Sequence, residues 1–120
     1  MNIAIIGQNG IFRDSLRILL NQVDDFNIVF DSGEVLQLLY YQDISSVDVV
    51  LFDSYAGTEN FRTLINKANE LSSNIKFLVL TDTTRYYFWQ NQKLFPIEGI
   101  ILKDSGKEEF EIEIRSLKKN

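Results

Sequence analysis

The sequence predicts an α/β fold in which helices cover both faces of a five-stranded parallel sheet, in one domain over residues 1–120. Two observations predict this doubly wound arrangement. Short apolar runs of strand length alternate along the chain with segments of helix length. The runs are continuous stretches of Val, Ile and Leu, which is typical of strands that are buried on both faces. A chain of 120 residues is also long enough to bury a core of its own.

The first half of the chain contains three predicted strands, at 2–7, 26–30 and 47–53. A helix is predicted over 11–22, between the first two strands. Its apolar residues are expected to face inward at four positions: Ile11, Leu16, Leu19 and Leu20.

A second helix is predicted from a capping signal. Asp31 is a typical N-cap residue, and Glu34 stands three residues later, where it completes a capping box. The apolar segment that follows predicts a helix that continues to about Tyr41.

The second half continues the alternation with these predicted elements: helix 58–71, strand 75–81, helix 84–93, strand 98–102 and helix 107–118. Pro96 stops the helix at 84–93, because proline has no N–H to donate and its ring clashes within a helix. Right-handed crossovers between successive strands then give the strand order 2-1-3-4-5, a flavodoxin-like sheet.

Composition excludes several classes of function. The chain has no Cys, which excludes disulfide and thiol chemistry. It has no His, which excludes catalysis by histidine and metal binding through histidine. A net charge of −5 argues against direct binding of nucleic acid by this domain. The sequence shows neither a membrane-spanning apolar run nor a basic-then-apolar leader, so we expect a cytoplasmic module without membrane contact.

A candidate site lies where three predicted strands end. Asp53, Thr81 and Lys103 each close an apolar run. Because side chains at the carboxyl ends of parallel strands converge on one crevice, we expect these three to lie together. A carboxylate, a hydroxyl and an ammonium gathered there form a site of phosphoryl-transfer type. The first strand ends instead in an uncharged Gly-Gln-Asn segment at 7–9.

The order and spacing of these motifs resemble the receiver domains of bacterial response regulators, especially the NarL-type subfamily. Residues 11–17 resemble the start of the first helix in that subfamily, and 48–53 resemble the strand that ends in the phosphoacceptor aspartate. Residues 78–81 resemble the strand that ends in a hydroxyl, and 99–104 the segment that carries a lysine. The resemblance covers essentially the whole chain. It implies a receiver domain in two-component (phosphorelay) signal transduction or transcription regulation.

The resemblance also implies roles for individual residues. Asp53 stands at the phosphoacceptor position, Thr81 provides the hydroxyl that contacts the phosphoryl group, and Lys103 provides the ammonium. The Mg²⁺ of the family would be held by Asp53, by the backbone carbonyl of Tyr55, and by an acid pair whose second position falls on Gln8. The phosphoryl group would come from a histidine kinase.

Several positions depart from that pattern. The acid pair falls on Gly7 and Gln8, and the usual proline falls on Gly57. Since Mg²⁺ is usually anchored by carboxylates, we expect no cofactor, or weak Mg²⁺ binding at most. Asp82 is the nearby acid that could partly replace the pair.

Loss of the acid pair changes the electrostatics expected at the site. Asp53 is then left to form an ion pair with Lys103 and to accept a hydrogen bond from Thr81. A pocket satisfied in this way favours one locked conformation over a switch that phosphate controls.

The segment from the fourth predicted helix to the last one is a candidate interface. Residues 86–89 are four consecutive aromatics, which spread around a helix and cannot all face the sheet. Exposed aromatics are frequent interface anchors. Ile100 stands where the family has an aromatic switch residue, and Ile112 faces away from the apolar side of the last helix. The candidate interface residues are Tyr87, Trp89, Ile100 and Ile112.

The leading hypothesis is an atypical receiver that is not an enzyme and acts through protein contacts, with a partner or as a homodimer. Asp53 would retain residual phosphoacceptor activity at most. The alternative is a receiver that a histidine kinase still phosphorylates on Asp53. A flavin protein of similar fold is disfavoured, because the loop at 7–10 lacks the expected Ser and Thr residues. NarL-type proteins continue into a helix-turn-helix output domain, so DNA is expected as a partner only through such a domain after Asn120.

Overall fold

The structure, a computed structural model, describes residues 1–56, 58–72 and 74–117. The strands are β1 Asn2–Ile6, β2 Asn27–Ser32, β3 Val49–Asp53, β4 Lys76–Thr81 and β5 Gly99–Leu102. The α-helices of the described residues are α1 Gly10–Asn21, α2 Thr58–Leu71, α3 Thr83–Asn91 and α4 Lys107–Leu117. Shorter 3₁₀ helices span Val35–Tyr40, Ile44–Ser46 and Ser54–Ala56. Position 57 and the predicted end of the domain at 118–120 lie outside the described residues.

The five strands pair in parallel, in the order β2-β1-β3-β4-β5. The predicted fold class and strand order are therefore confirmed. The predicted helix at 58–71 has the observed bounds, and the other predicted strands and α-helices are displaced at their ends by a few residues. None of the helices within the described ranges combines the length and apolar character needed to cross a lipid bilayer.

Both faces of the sheet are buried. Strand side chains that pack on the side of α1 and α4 are Ile3, Ile5, Val49, Leu51, Leu78, Leu80 and Ile101. Strand side chains that pack on the side of α2 and α3 are Ala4, Ile6, Val50, Phe52, Phe77 and Val79. Because successive side chains of a strand point to opposite faces, burial of both faces requires the continuous apolar runs seen in the sequence.

The predicted second helix is wrong in both its start and its type. Asp31 belongs to β2, and its carboxylate pairs with Arg13 Nε at 3.5 Å instead of capping a helix. The helix that follows is the 3₁₀ helix Val35–Tyr40, and Glu34 precedes it without a side-chain capping bond. Its two buried residues are three positions apart, which matches one turn of a 3₁₀ helix. Sheet pairing has overridden the local capping signal, because Asp31 and Ser32 pair with Ile5 and Ile6 of β1.

The expected inward orientation of Ile11 is also wrong, because this side chain is 81% exposed. At 100° per residue, Ile11 lies about 140° from Leu16 and about 180° from Leu20 around α1. Leu16 and Leu20 are the buried residues of this helix, so Ile11 faces solvent.

Trp89 does not belong to an exposed surface, contrary to its prediction as an interface residue. It is 1% exposed, with ring centroids 6.0 Å from Phe61 and 5.6 Å from Phe95. Its neighbours Tyr87 and Phe88 are exposed. Of these three consecutive rings, only that of Trp89 enters the core.

Phe61 is the centre of the aromatic packing, and its ring stacks on Phe52 with centroids 3.8 Å apart. We expect Phe61→Ala to lower the free energy of unfolding by about 3–5 kcal/mol, since it leaves a cavity among rigid rings. Leu71→Ala in the same helix removes an exposed side chain and serves as the matched control. Urea denaturation measures both, and equal losses in the two variants would contradict this view of the core.

Candidate functional site

The sheet brings the three predicted site residues to one edge. Asp53 ends β3, Thr81 ends the adjacent strand β4, and Lys103 directly follows β5. The Lys103 backbone N–H donates to the Thr81 carbonyl at 2.8 Å, which extends the pairing of β4 and β5 by one residue. Asp53 and Thr81 are both buried. The parallel strand ends therefore form the crevice that the sequence predicts.

Asp53 is engaged through both of its carboxylate oxygens. Lys103 Nζ donates to Oδ2 at 2.8 Å, and the backbone N–H of Tyr55 donates to Oδ1 at 3.1 Å. The expected ion pair is thus present. The expected hydrogen bond from Thr81 to Asp53 is not, because the Thr81 hydroxyl donates to the adjacent Asp82 carbonyl at 3.3 Å. That carbonyl satisfies the buried hydroxyl without the carboxylate.

Two aromatic rings cover the ammonium of Lys103. Its Nζ lies 4.5 Å from the ring centre of Phe12 on α1 and 5.2 Å from that of Tyr55. Both distances are in the range of cation–π attraction, which strengthens where the cation is shielded from water. Phe12 is not among the residues that the sequence predicts for the site. Its position near Lys103 depends on how the first turn of α1 crosses the strand ends, which the sequence pattern does not show.

The Tyr55 side chain is held on its outer side by residues at the start of α3. Its hydroxyl donates to the Asp82 carboxylate, and Arg85 Cζ lies 4.7 Å from its ring centre. The hydrogen bond to Asp82, followed by burial, raises the pKa of the Tyr55 phenol above its usual value. The same hydrogen bond is the main cause that lowers the pKa of the Asp82 carboxyl. The resemblance assigns a role to the backbone carbonyl of Tyr55 alone, so these side-chain contacts are additional to the predicted site.

The end of β1 leaves little room beside Asp53. A Cβ placed on Gly7 would lie 3.0 Å from the Asp53 Cβ and 3.4 Å from Oδ2. The Gly7 carbonyl accepts a hydrogen bond from the Arg13 guanidinium, while the side chain of Gln8 is exposed. An acidic side chain on Gly7 would crowd the acceptor position unless the backbone moved.

The residues present do not fit a Mg²⁺ ion. The ion needs a near-octahedral shell of oxygens, usually anchored by carboxylates. Within the described ranges, no three His, Cys, Asp or Glu residues are grouped closely enough to hold a metal. Asp53 already pairs with Lys103, and Asp82 accepts hydrogen bonds from Tyr55 and from the N–H of Arg85.

Comparison of the sequence with models of protein families found no match, and comparison with curated proteins found none either. Solved structures do match. RcsB, a response regulator of Salmonella typhimurium, has a TM-score of 0.75 and 21% identity, over 99% of this chain and 59% of that chain. A chain in the complex of the CheA3 P1 domain with CheY6 from R. sphaeroides has a TM-score of 0.84 and 17% identity, over 99% and 97%. A LuxR-family DNA-binding response regulator of Staphylococcus aureus has a TM-score of 0.76 and 20% identity, over 97% of each chain.

The protein has the receiver-domain fold. The three structures named above match it across nearly its full length, and two of them are described as response regulators. The chain spans 59% of the RcsB chain that it matches. In this receiver fold, Asp53, Thr81 and Lys103 lie at the carboxyl edge of the sheet, where the resemblance implies the phosphoacceptor crevice.

The other predicted interface residues line a groove on the adjacent side of the receiver fold. The groove has a volume of about 630 Å³ and lies between α3, β5 and α4. Tyr87 is 72% exposed and Ile112 is 66% exposed on its two helical walls, and Ile100 lies partly buried on β5 between them. Glu109 and Glu113 add carboxylates along the α4 wall. This region is the candidate interface of the sequence prediction, where α3 is the fourth predicted helix and α4 is the last one.

The ion pair leads to a test of stability. Lys103→Met would leave the buried Asp53 carboxylate without its partner, and we expect a loss of about 2 kcal/mol or more in the free energy of unfolding at neutral pH. Adding Asp53→Asn should recover most of that loss, because the unpaired charge is removed. Lys67→Met changes an exposed lysine on α2 and is the matched control. Additive effects of the two site substitutions in urea denaturation would show that the pair is not coupled.

Proposed function

We propose that the protein is a signalling module of two-component type that acts through protein contacts, with weak or no Mg²⁺-dependent phosphorylation. The observation that carries the proposal is the closed ion pair between Asp53 and Lys103 at 2.8 Å, in a site without an acid pair on β1. The receiver fold supplies the signalling context. Because Asp53 is already paired with Lys103, we propose that phosphate does not control the module.

The electrostatic argument concerns charge neutralisation. Phosphoryl transfer to a carboxylate depends on cations that offset the charge of the incoming phosphoryl group, and Mg²⁺ normally provides most of this. Here Lys103 already neutralises Asp53, and the rings of Phe12 and Tyr55 lie over its ammonium. An incoming phosphoryl group would have to separate the pair and displace the rings without help from a metal.

The groove between α3, β5 and α4 is the proposed contact surface. Its floor is apolar, and its α4 wall carries Glu109 and Glu113. We commit to one occupant, an amphipathic helix of a partner protein with leucine-like residues on one face and basic residues beside it. A second copy of this chain is disfavoured, because each copy has a net charge of −5 and would bring the same carboxylates to the contact.

A second candidate function is a receiver that a histidine kinase still phosphorylates on Asp53. The arrangement of Asp53, Thr81 and Lys103 at adjacent strand ends favours it. Among the neighbours, one structure is a complex with the P1 domain of CheA3 and another is a DNA-binding regulator. For this acidic chain, DNA remains a partner only through a separate output domain.

Acetyl phosphate with Mg²⁺ separates the two candidates. We expect no phosphoryl adduct on the protein by intact-mass spectrometry, because the carboxylate stays paired and the metal is not retained. Asp53→Asn, which cannot accept the group, should likewise show no added phosphoryl mass. An adduct that forms on the unchanged protein and is absent from Asp53→Asn would establish the second candidate and refute the first.

The groove is tested with a synthetic helical peptide that has leucines on one face and lysines on its flanks. We expect Ile112→Gln to weaken binding of the peptide about tenfold, since it removes an apolar contact that the peptide would bury in the complex. Ile18→Gln on α1 changes an isoleucine that is also exposed but lies outside the groove, and should leave binding unchanged. Fluorescence anisotropy of the labelled peptide measures the affinity.

Two outcomes would refute the proposed occupant. One is equal binding by the Ile112 and Ile18 variants. The other is a concentration-dependent dimer in sedimentation experiments that Ile112→Gln abolishes, which would assign the groove to a second copy of the chain.

A further inference from the structure

Tyr55 connects two parts of the molecule that the proposed function treats separately. Its ring centre lies 5.2 Å from the ammonium nitrogen of Lys103 and 4.7 Å from Cζ of the Arg85 guanidinium. Its hydroxyl donates to Asp82, and its backbone N–H donates to Asp53. One residue therefore contacts the ion pair at the carboxyl edge of the sheet and the start of α3.

Asp82 accepts from Tyr55 while it caps α3. Its Oδ1 accepts the backbone N–H of Arg85 at 2.9 Å, as an N-cap residue does, and its other oxygen accepts the Tyr55 hydroxyl. A second link runs beside the first, from Arg85 Nη1 to the Ser54 carbonyl at 3.4 Å. The 3₁₀ turn after β3 and the first turn of α3 are thus joined by two side chains.

The same helix forms a wall of the docking groove. Thr83 in its first turn, and Tyr86 and Tyr87 in the next, line the groove opposite α4. A movement of the first turn of α3 would therefore alter the groove. A movement of Tyr55 would uncover the ammonium that holds Asp53.

We propose that Tyr55 is a latch that closes over the Asp53–Lys103 pair and, through Asp82, holds the first turn of α3, so that uncovering the pair and loosening the groove wall occur together. The latch goes beyond the proposed function and rests on it only for the role of the groove as a contact surface. The link itself is independent of any partner. It also assigns a role to the Tyr55 side chain, which is half exposed and is not part of the hydrophobic core.

Hydrogen–deuterium exchange tests the link in the intact chain. In Tyr55→Phe, which keeps the ring and removes the hydroxyl, we expect amide exchange to rise about three- to tenfold both at residues 54–56 and in the first turn of α3. Exchange in β1 and α1 should not change. Tyr40→Phe removes the hydroxyl of an exposed tyrosine in the 3₁₀ helix Val35–Tyr40 and is the matched control. Faster exchange in only one of the two joined segments would overturn the proposal.

A second experiment reads the cover over the ion pair. Acylation of Lys103 by an amine-reactive ester, followed by mass spectrometry, should be several-fold faster in Tyr55→Ala than in the unchanged protein. Lys67 provides an internal reference, and Tyr40→Ala provides the control variant. An unchanged rate at Lys103 would show that Tyr55 does not cover the pair, whatever the outcome of the phosphorylation and peptide experiments.

Asp82→Asn tests the acceptor while it keeps the helix cap, since Asn and Asp are comparable N-cap residues. We expect amide exchange at residues 54–56 to rise in Asp82→Asn, as it does in Tyr55→Phe, because a neutral acceptor holds the phenol less strongly than a carboxylate does. The helical circular dichroism should be retained. Exchange at 54–56 that does not respond to this substitution would contradict the bond on which the latch depends.

Discussion

The ion pair between Asp53 and Lys103 is the interaction on which the rest of the site depends. An unpaired buried carboxylate is strongly destabilising, and the ammonium 2.8 Å away offsets most of that penalty. The pair also joins the end of β3 to the residue after β5, across the intervening strand β4. The rings of Phe12 and Tyr55 then have a fixed cation to pack against. The local structure at the strand ends follows from how this one charge is neutralised.

Without an acid pair on β1, the charge balance at Asp53 is simple. In a crevice with several carboxylates, repulsion between them would favour an added cation, and one lysine could not neutralise them all. Here Gly7 places backbone, not charge, against Asp53, and its contact distance leaves no unhindered space for a side chain. The lysine is therefore enough. The proposed shift from phosphate control to control by contact requires no change in the fold, because function depends on the site and not on the sheet that carries it.

The sequence was sufficient to predict the sheet, its strand order and the convergence of Asp53, Thr81 and Lys103, because these depend on continuous apolar runs and on where the runs end. It failed where tertiary contacts compete with local signals, as when pairing with β1 keeps Asp31 and Ser32 in a strand instead of at a helix start. Helical spacing could not show which of four consecutive aromatics enters the core. The cover of Tyr55 over Lys103 depends on the path of a turn, for which the sequence carries no periodic signal.

The most direct test of the central claim is ¹⁹F NMR of the protein with Mg²⁺ and beryllofluoride, a stable mimic of a phosphoryl group on a carboxylate. The account predicts only the resonances of free fluoride species, because Asp53 stays paired with Lys103 and no metal is retained beside it. A bound resonance that requires Mg²⁺ and disappears in Asp53→Asn would contradict the account.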